Sequence, residues 1–307
     1  MQVLVTGATG FVGRAVTLAL IKAGHDVTGF VRSAKSGSDL KEAGARLAVG
    51  DMRKPADYVP LVSQADAVIH AAQLEFTGKF TDQKAAELRA ADHTMLTALA
   101  AECLSNHKRL LYTGCAFSYG DHGDKWITET TPFSPSPLGV AHAAGIKRIR
   151  QWVSEGLDAV VLSPGFIYGP GGQFESAFYD QVREGRLRVI GMGQNYWSVI
   201  HVDDLASAYV AALENAPAGA EYNVVDGSPT TLRAFADAVT DGMGKPRVGV
   251  IPLMIISMFI GRPLVDSLVT SFRIDNKKIR TELGWEPRFS DFTEGMPSTL
   301  ETLKERR

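Results

Sequence analysis

The stretch VLVTGATGFVG, Val3 to Gly13, constrains the fold of this chain more than any other part of the sequence. A β-branched run ends in a turn that holds Gly7, Gly10 and Gly13, and a helical pattern begins at Phe11. At such a junction one glycine permits the tight turn, one lets the backbone approach a pyrophosphate, and one allows the helix to pack closely on the strand. The phosphates then sit at the helix N-terminus, where unpaired N–H groups point outward. The spacing predicts a dinucleotide site built from Gly7, Thr9, Gly10, Phe11, Val12 and Gly13.

The same strand-then-helix rhythm runs on through the chain. QVLVTG, DVTGFVRS, ARLAVGD, DAVIHAAQ, RLLYTG, DAVVLSPG and EYNVVDG alternate with stretches such as FVGRAVTLALIKAG and TMLTALAAECLSNH. That alternation predicts an α/β fold, a Rossmann-type doubly wound parallel sheet with helices on both faces. After Gly169 the rhythm loosens. Residues 1–169 are therefore expected to form the dinucleotide-binding domain, with 198–227 returning to it. Residues 170–197 and 228–307 are expected to form a smaller C-terminal substrate-binding lobe over the carboxyl edge of the sheet, where ligands bind in such folds.

The second strand bears on which dinucleotide is held. A carboxylate at its end would bind a ribose 2′-hydroxyl, yet GFVRS supplies Arg32 and Ser33, 19 residues after Gly13, and no acid. A guanidinium suits a 2′-phosphate, so NADP is favoured over NAD. A chain of 307 residues with net charge −2 is not basic enough for a nucleic-acid scaffold. Its start, MQVLVTG, reads as a strand and not as a secretory signal. The longest apolar run, Val248 to Gly261, carries Pro252 and is shorter than the ~20 residues of a membrane span, so it is expected to be a buried helix or a substrate-pocket wall. Cys103 and Cys115 offer neither a disulfide framework nor a metal-ligand pattern. The expectation is a cytoplasmic protein with a small-molecule substrate and no metal, nucleic-acid or membrane partner.

In combination, TGATGFVG, GDMRKP, DAVIHAAQ, LLYTGCAFSYG, Lys147, PGFIYGPGG, VIHVDDLASAY and IDNKKIRTELGWEP resemble the extended and atypical short-chain dehydrogenase/reductase family, of the NAD(P)-dependent epimerase/dehydratase type. The resemblance covers almost the whole chain. It implies that Asp51 and Met52 flank the adenine, that Ala71, Ala72 and Gln73 line the nicotinamide side, and that Pro164 and Phe166 also meet the cofactor.

The family's usual active site pairs Tyr-x-x-x-Lys on one helical face with a Ser or Thr at the end of the fifth strand. The ammonium lowers the phenol pKa and holds the nicotinamide ribose while the phenol moves a proton. In AHAAGIKRIR, Lys147 is present and the position four residues earlier is Ala143. Cys115 stands where the hydroxyl residue is usual, with Thr113 two positions before it. Lys147, Thr113 and Cys115 are therefore the candidate catalytic residues, with Lys147 also a cofactor ligand. His142 diverges by ~100° from its helical neighbour and reads as a surface or packing residue. Tyr119, Tyr168 and Tyr179 are candidate substitutes for the missing phenol, the first two reading as structural.

On the substrate side, Phe166 replaces the Asn, and Trp197 the Arg, that nucleotide-sugar members of the family usually present. Both offer apolar faces. Phe166, Phe174, Phe178 and Trp197, with Tyr179 and IPLMIISMF, are expected to wall an apolar pocket. This favours an NADP-dependent oxidoreductase of a small or apolar carbonyl or alcohol, working with a rebuilt proton relay. Two other readings remain: a non-catalytic NADP-binding regulator, and an epimerase/dehydratase-type isomerase with tightly bound cofactor. The helical stretches Lys84–Leu104 and Val140–Trp152 are candidate surfaces for a homodimer.

Overall fold

The computed structural model describes residues 1–75 and 78–306. Its framework is a seven-stranded parallel sheet of β1 (Gln2–Thr6), β2 (Asp26–Val31), β3 (Arg46–Val49), β4 (Ala67–His70), β5 (Arg109–Thr113), β6 (Ala159–Pro164) and β7 (Glu221–Val224). The spatial order is β7-β6-β5-β4-β1-β2-β3. The chain starts at the centre, winds outward through β3, and returns to the other side of β1 at β4. That reversal opens a crevice beyond the carboxyl ends of β1 and β4. Thr6 pairs with His70 and His70 with Tyr112, so these strand ends lie level beneath the crevice.

Period-two alternation sends successive side chains to opposite faces. Val3 and Val5 face α1 (Phe11–Lys22) and join Val16, Leu20, Leu205 and Tyr209. Leu4 faces the other way and joins Leu96, Leu99, Leu110, Tyr112 and Ile146. On this second face lie α2 (Asp82–Ser105) and α3 (Val140–Ser154), and the first face is completed by α4 (Val202–Asn215). Both faces of the strands are thus covered, which is why they read as near-continuous apolar runs.

The smaller lobe is built on an aromatic cluster. Phe174, Phe178, Trp197 and Phe292 pack around Phe235 of α5 (Leu232–Gly242), and Phe272 stacks on Trp197. The C-terminal segment is pinned to the sheet domain through the late motifs. Asp204 accepts from the N–H groups of Arg288 (2.8 Å) and Phe289 (3.1 Å), and Trp285 Nε1 donates to Ser207 Oγ at 2.8 Å. HVDD and GWEP therefore form one clamp.

Two expectations are corrected here. Phe174, Phe178 and Trp197 do not wall a pocket: all three are buried, with Trp197 only 4.7 Å ring to ring from Phe166 and stacked on Phe272. The apolar run is not buried either. It forms α6 (Leu253–Ile260), which has no buried residue and leaves Met254, Met258 and Phe259 exposed. The short helix α7 (Arg262–Leu268) follows it.

Candidate active site

Two of the three glycines are required by the packing of the turn itself. Gly7 has φ +68°, and a Cβ there would come within 2.6 Å of the Ala72 backbone. A Cβ on Gly13 would overlap the Gly7 carbonyl. Gly10 is different: it is exposed, and the nearest atom a Cβ would meet is Gly7 O at 3.2 Å. Nothing in the protein demands a glycine there as strictly, so the bare face of Gly10 fits the approach of a ligand. Gly10 also caps α1 without a side-chain hydrogen bond, leaving the first-turn N–H groups for an anion. Thr9, Phe11 and Val12 are half-buried around it, and Phe11 lies against Gly171 and Gly172. These residues fit the diphosphate of a dinucleotide.

At the outer end, Arg32 follows β2 with its side chain 78% exposed and pairs with Glu75 at 3.1 Å. Ser33 Oγ accepts from Ser36 N at 3.3 Å. Asp51 and Met52 are half-buried beyond β3; the Arg53 guanidinium bound to Asp51 holds its carboxyl down to about 2. Ala71 and Ala72 follow β4 and lie against Gly7, with Gln73 exposed beside them. Pro164 is buried at the end of β6, and Phe166 is half-buried two residues on.

The nicotinamide end departs from what the spacing suggests. Thr113 donates its hydroxyl to His70 O at 2.9 Å and shares a hydrogen bond with the Tyr209 hydroxyl. It faces α4, on the opposite side of the sheet from α3, and its oxygen is committed. Cys115 is half-buried just past β5, and burial pushes its thiol up to about 11. Tyr119 is committed to Asn223 at 2.8 Å, Tyr168 lies in the aromatic core, and Tyr179 is buried.

Lys147 is also displaced. Helix α3 is capped by Gly139, which sits hard against the Phe117 backbone, and it runs from the carboxyl edge back toward Gly219 at the amino edge. The group over the end of β5 is therefore in the first turn: His142 Nδ1 lies 3.1 Å from Thr113 O. Lys147 is five residues, ~7.5 Å, further down the helix. It is exposed, with no partner among the described residues. Counting four residues back from His142 gives Leu138, whose N–H donates to Ser267 Oγ at 3.0 Å. The start of α3 thus brings Leu138 and His142, four residues apart, to the end of β5, and Ala143 is a buried packing residue.

Sequence reasoning missed both residues because it began from the lysine. The signal was present: Pro135, Pro137 and Gly139 mark where the helix starts, and first-turn residues are those nearest the carboxyl edge.

Beneath His142 lies a buried polar chain. Tyr112 donates its hydroxyl to Asp92 Oδ2 at 3.1 Å, His70 Nε2 is 3.6 Å from Asp92 Oδ1, and His70 Nδ1 is 2.9 Å from Thr6 Oγ1. Burial alone would raise the Asp92 carboxyl, but the His70 ring, His142 and the Tyr112 hydroxyl together hold it below its usual value.

A model of the NAD dependent epimerase/dehydratase family matches residues 3–225. This chain belongs to that family. Within its wider kin, a 3-diazoavenalumate denitrifying reductase from a Streptomyces species is 27% identical over 96% of this chain and 99% of its own. A 2-alkyl-3-oxoalkanoate reductase from Stenotrophomonas maltophilia is 28% identical over 81% of this chain and 77% of its own. Among solved structures, a dTDP-glucose 4,6-dehydratase from Streptomyces venezuelae with NAD and TYD bound shares the fold at TM-score 0.85, with 21% identity over 100% of this chain and 98% of that one.

Proposed function

We propose that this family member is an NADP-dependent oxidoreductase that interconverts a small or apolar carbonyl compound and its alcohol. The observation that carries the reading is that Phe166, where nucleotide-sugar members of the family usually present Asn, packs at 4.7 Å against Trp197, where they usually present Arg, so neither position offers an amide or a guanidinium to a sugar diphosphate. The reductase names of the Streptomyces and Stenotrophomonas relatives, the latter with an alkyl-substituted ketone, support the same class.

Bound NADPH supplies the hydride. Gly7, Gly10 and Gly13 would hold its diphosphate, Arg32 and Ser33 the 2′-phosphate, Asp51 and Met52 the adenine side, and Ala71 to Gln73 the nicotinamide side. No acid follows Arg32 in its turn, which supports NADP over NAD. Binding of NADPH at least about tenfold tighter than NADH, ~1.4 kcal/mol, is expected, and Arg32→Asp should erase or reverse the preference. Paired fluorescence titrations of the two proteins test this; superimposed curves for the two cofactors in the wild-type chain would defeat it.

A regulator that senses NADP without turnover is favoured by one feature, the lack of a hydroxyl at both Leu138 and Cys115. The proposal also includes a reducing cytoplasm, which suits the free thiols of Cys103 and Cys115, and a homodimer through α2 and α3. The outer groove of those helices is lined by Ala86, Ala90, Leu96, Ala144 and Trp152, and a monomeric mass by light scattering at micromolar concentration would contradict the dimer.

A further inference from the structure

We propose that His142 is the acid–base residue of this cleft: its Nε2 delivers the proton to the substrate oxygen in reduction and recovers it in oxidation. The inference rests on the oxidoreductase reading and names the group that does the work of the absent tyrosine.

Position comes first. His142 is in the first turn of α3, above the carboxyl end of β5, one strand away from the β1–β4 reversal that opens the crevice. Its Nδ1 faces the carbonyl of Thr113 at 3.1 Å. A carbonyl oxygen only accepts, so Nδ1 carries the hydrogen and Nε2 is the nitrogen left to exchange a proton. Nε2 has no protein partner among the described residues, and His142 is half-buried.

Elimination points the same way. Leu138 has no proton to give, and the Thr113 hydroxyl is held by His70 O and Tyr209. Cys115, pushed up to about 11, is a weaker donor at neutral pH than an imidazolium, because proton transfer is most effective when the pKa lies near the working pH. In reduction the carbonyl carbon gains the hydride supplied by the reduced nicotinamide. The Nε2–H bond of the imidazolium breaks, and its proton forms the new O–H bond. The alcohol leaves, and the neutral ring takes a proton from water.

The surroundings set the pH dependence. Burial lowers the His142 pKa below the usual 6.5, opposed by the Asp92 charge on α2 and the bond to Thr113, while His70 on β4 lowers it further when charged. Tyr112 and Cys115, the remaining titratable groups of the β5 end, are both raised and stay neutral at pH 7. Reduction needs the imidazolium, so its kcat/KM falls as pH rises through a value below 6.5. Oxidation needs the neutral ring, so its rate falls as pH drops through the same value.

The test has two readouts on the full-length chain. In the first, His142→Gln is expected to lower kcat for reduction by about 100-fold or more and to remove the pH limb, with NADPH affinity kept within about threefold. Lys147→Ala, the control on the same helix, should change neither quantity by more than about threefold. A His142→Gln enzyme with near wild-type kcat and an unchanged pH limb overturns the proposal. The second readout needs no variant and no substrate: the His142 ring resonance of the wild-type protein is titrated by NMR with and without NADPH. The expected result is a shift in its position and pKa on binding. A resonance indifferent to NADPH that is bound elsewhere by fluorescence overturns the proposal even where His142→Gln fails to fold. A responsive resonance with no turnover of any carbonyl defeats the oxidoreductase reading, and the proton-donor role with it, while keeping the ring at the nicotinamide.

Discussion

Gly13→Ala is expected to abolish dinucleotide binding and to destabilise the chain by about 1–3 kcal/mol, the cost of forcing extra volume into a packed contact. The new methyl would overlap the Gly7 carbonyl, with Gly7 C and Ala8 Cα also close. All three are main-chain atoms, so no side chain can swing aside. Either α1 moves off β1 or the Gly7 turn opens, and both displace the first-turn N–H groups that are to meet the phosphates. Gly10→Ala is the informative contrast. Gly10 has φ −73°, which alanine adopts freely, and its methyl would stand 3.2 Å from Gly7 O. That variant should keep its stability to within ~1 kcal/mol and still lose affinity, because the methyl projects where the diphosphate must approach. Denaturant unfolding and NADPH titration of both variants separate the two effects. Equal unfolding midpoints with wild-type affinity in both would show that the turn is not a cradle.

Trp197→Ala is expected to cost about 3–5 kcal/mol of stability. The indole is 1% exposed, 4.7 Å ring to ring from Phe166, 6.2 Å from Phe178 and stacked at 6.2 Å on Phe272. Its removal opens a cavity in the cluster that joins the strand pair Phe166–Tyr168 and Val199–His201 to α5. Loss of activity should therefore follow loss of folded protein, and at a temperature where the variant is folded, KM should change little. A variant of unaltered stability with a sharply raised KM would restore Trp197 to the pocket wall.

These two positions show what could be read from the sequence and what could not. Gly7, Gly10 and Gly13 were legible because a strand-turn-helix junction is local: three glycine requirements fall within seven residues of chain. The parallel sheet was legible for the same reason, since alternation is a property of consecutive segments. Trp197, Phe174 and Phe178 were legible as apolar but not as core, because whether an aromatic ring faces a cavity or another ring depends on which distant segments meet it. Here Phe235 and Phe272 fill the space. The run at α6 failed in the opposite sense. Its apolar character predicts burial, yet among the described residues nothing covers Met254 or Met258.

Lys147 lies away from the end of β5 for a geometric reason. A lysine with the right helical context is easy to find, but a helix that begins at Val140 brings only its first turn to the sheet edge, and five residues displace a side chain by ~7.5 Å and more than a third of a turn. Gly139 against Phe117 fixes that register, a contact between two segments that only the folded chain brings together.

The central claim is that this family member turns over an apolar carbonyl with NADP. Its most direct test is consumption of NADPH by purified wild-type protein across a panel of alkyl and aryl ketones, with NADH and a dTDP-sugar as comparisons. The account predicts NADPH oxidation matched mole for mole by alcohol formed, slower with NADH and absent with the sugar nucleotide. Protein that binds NADPH tightly, stays inert over the whole panel and changes its association with another protein on binding would contradict the enzyme and establish the regulator.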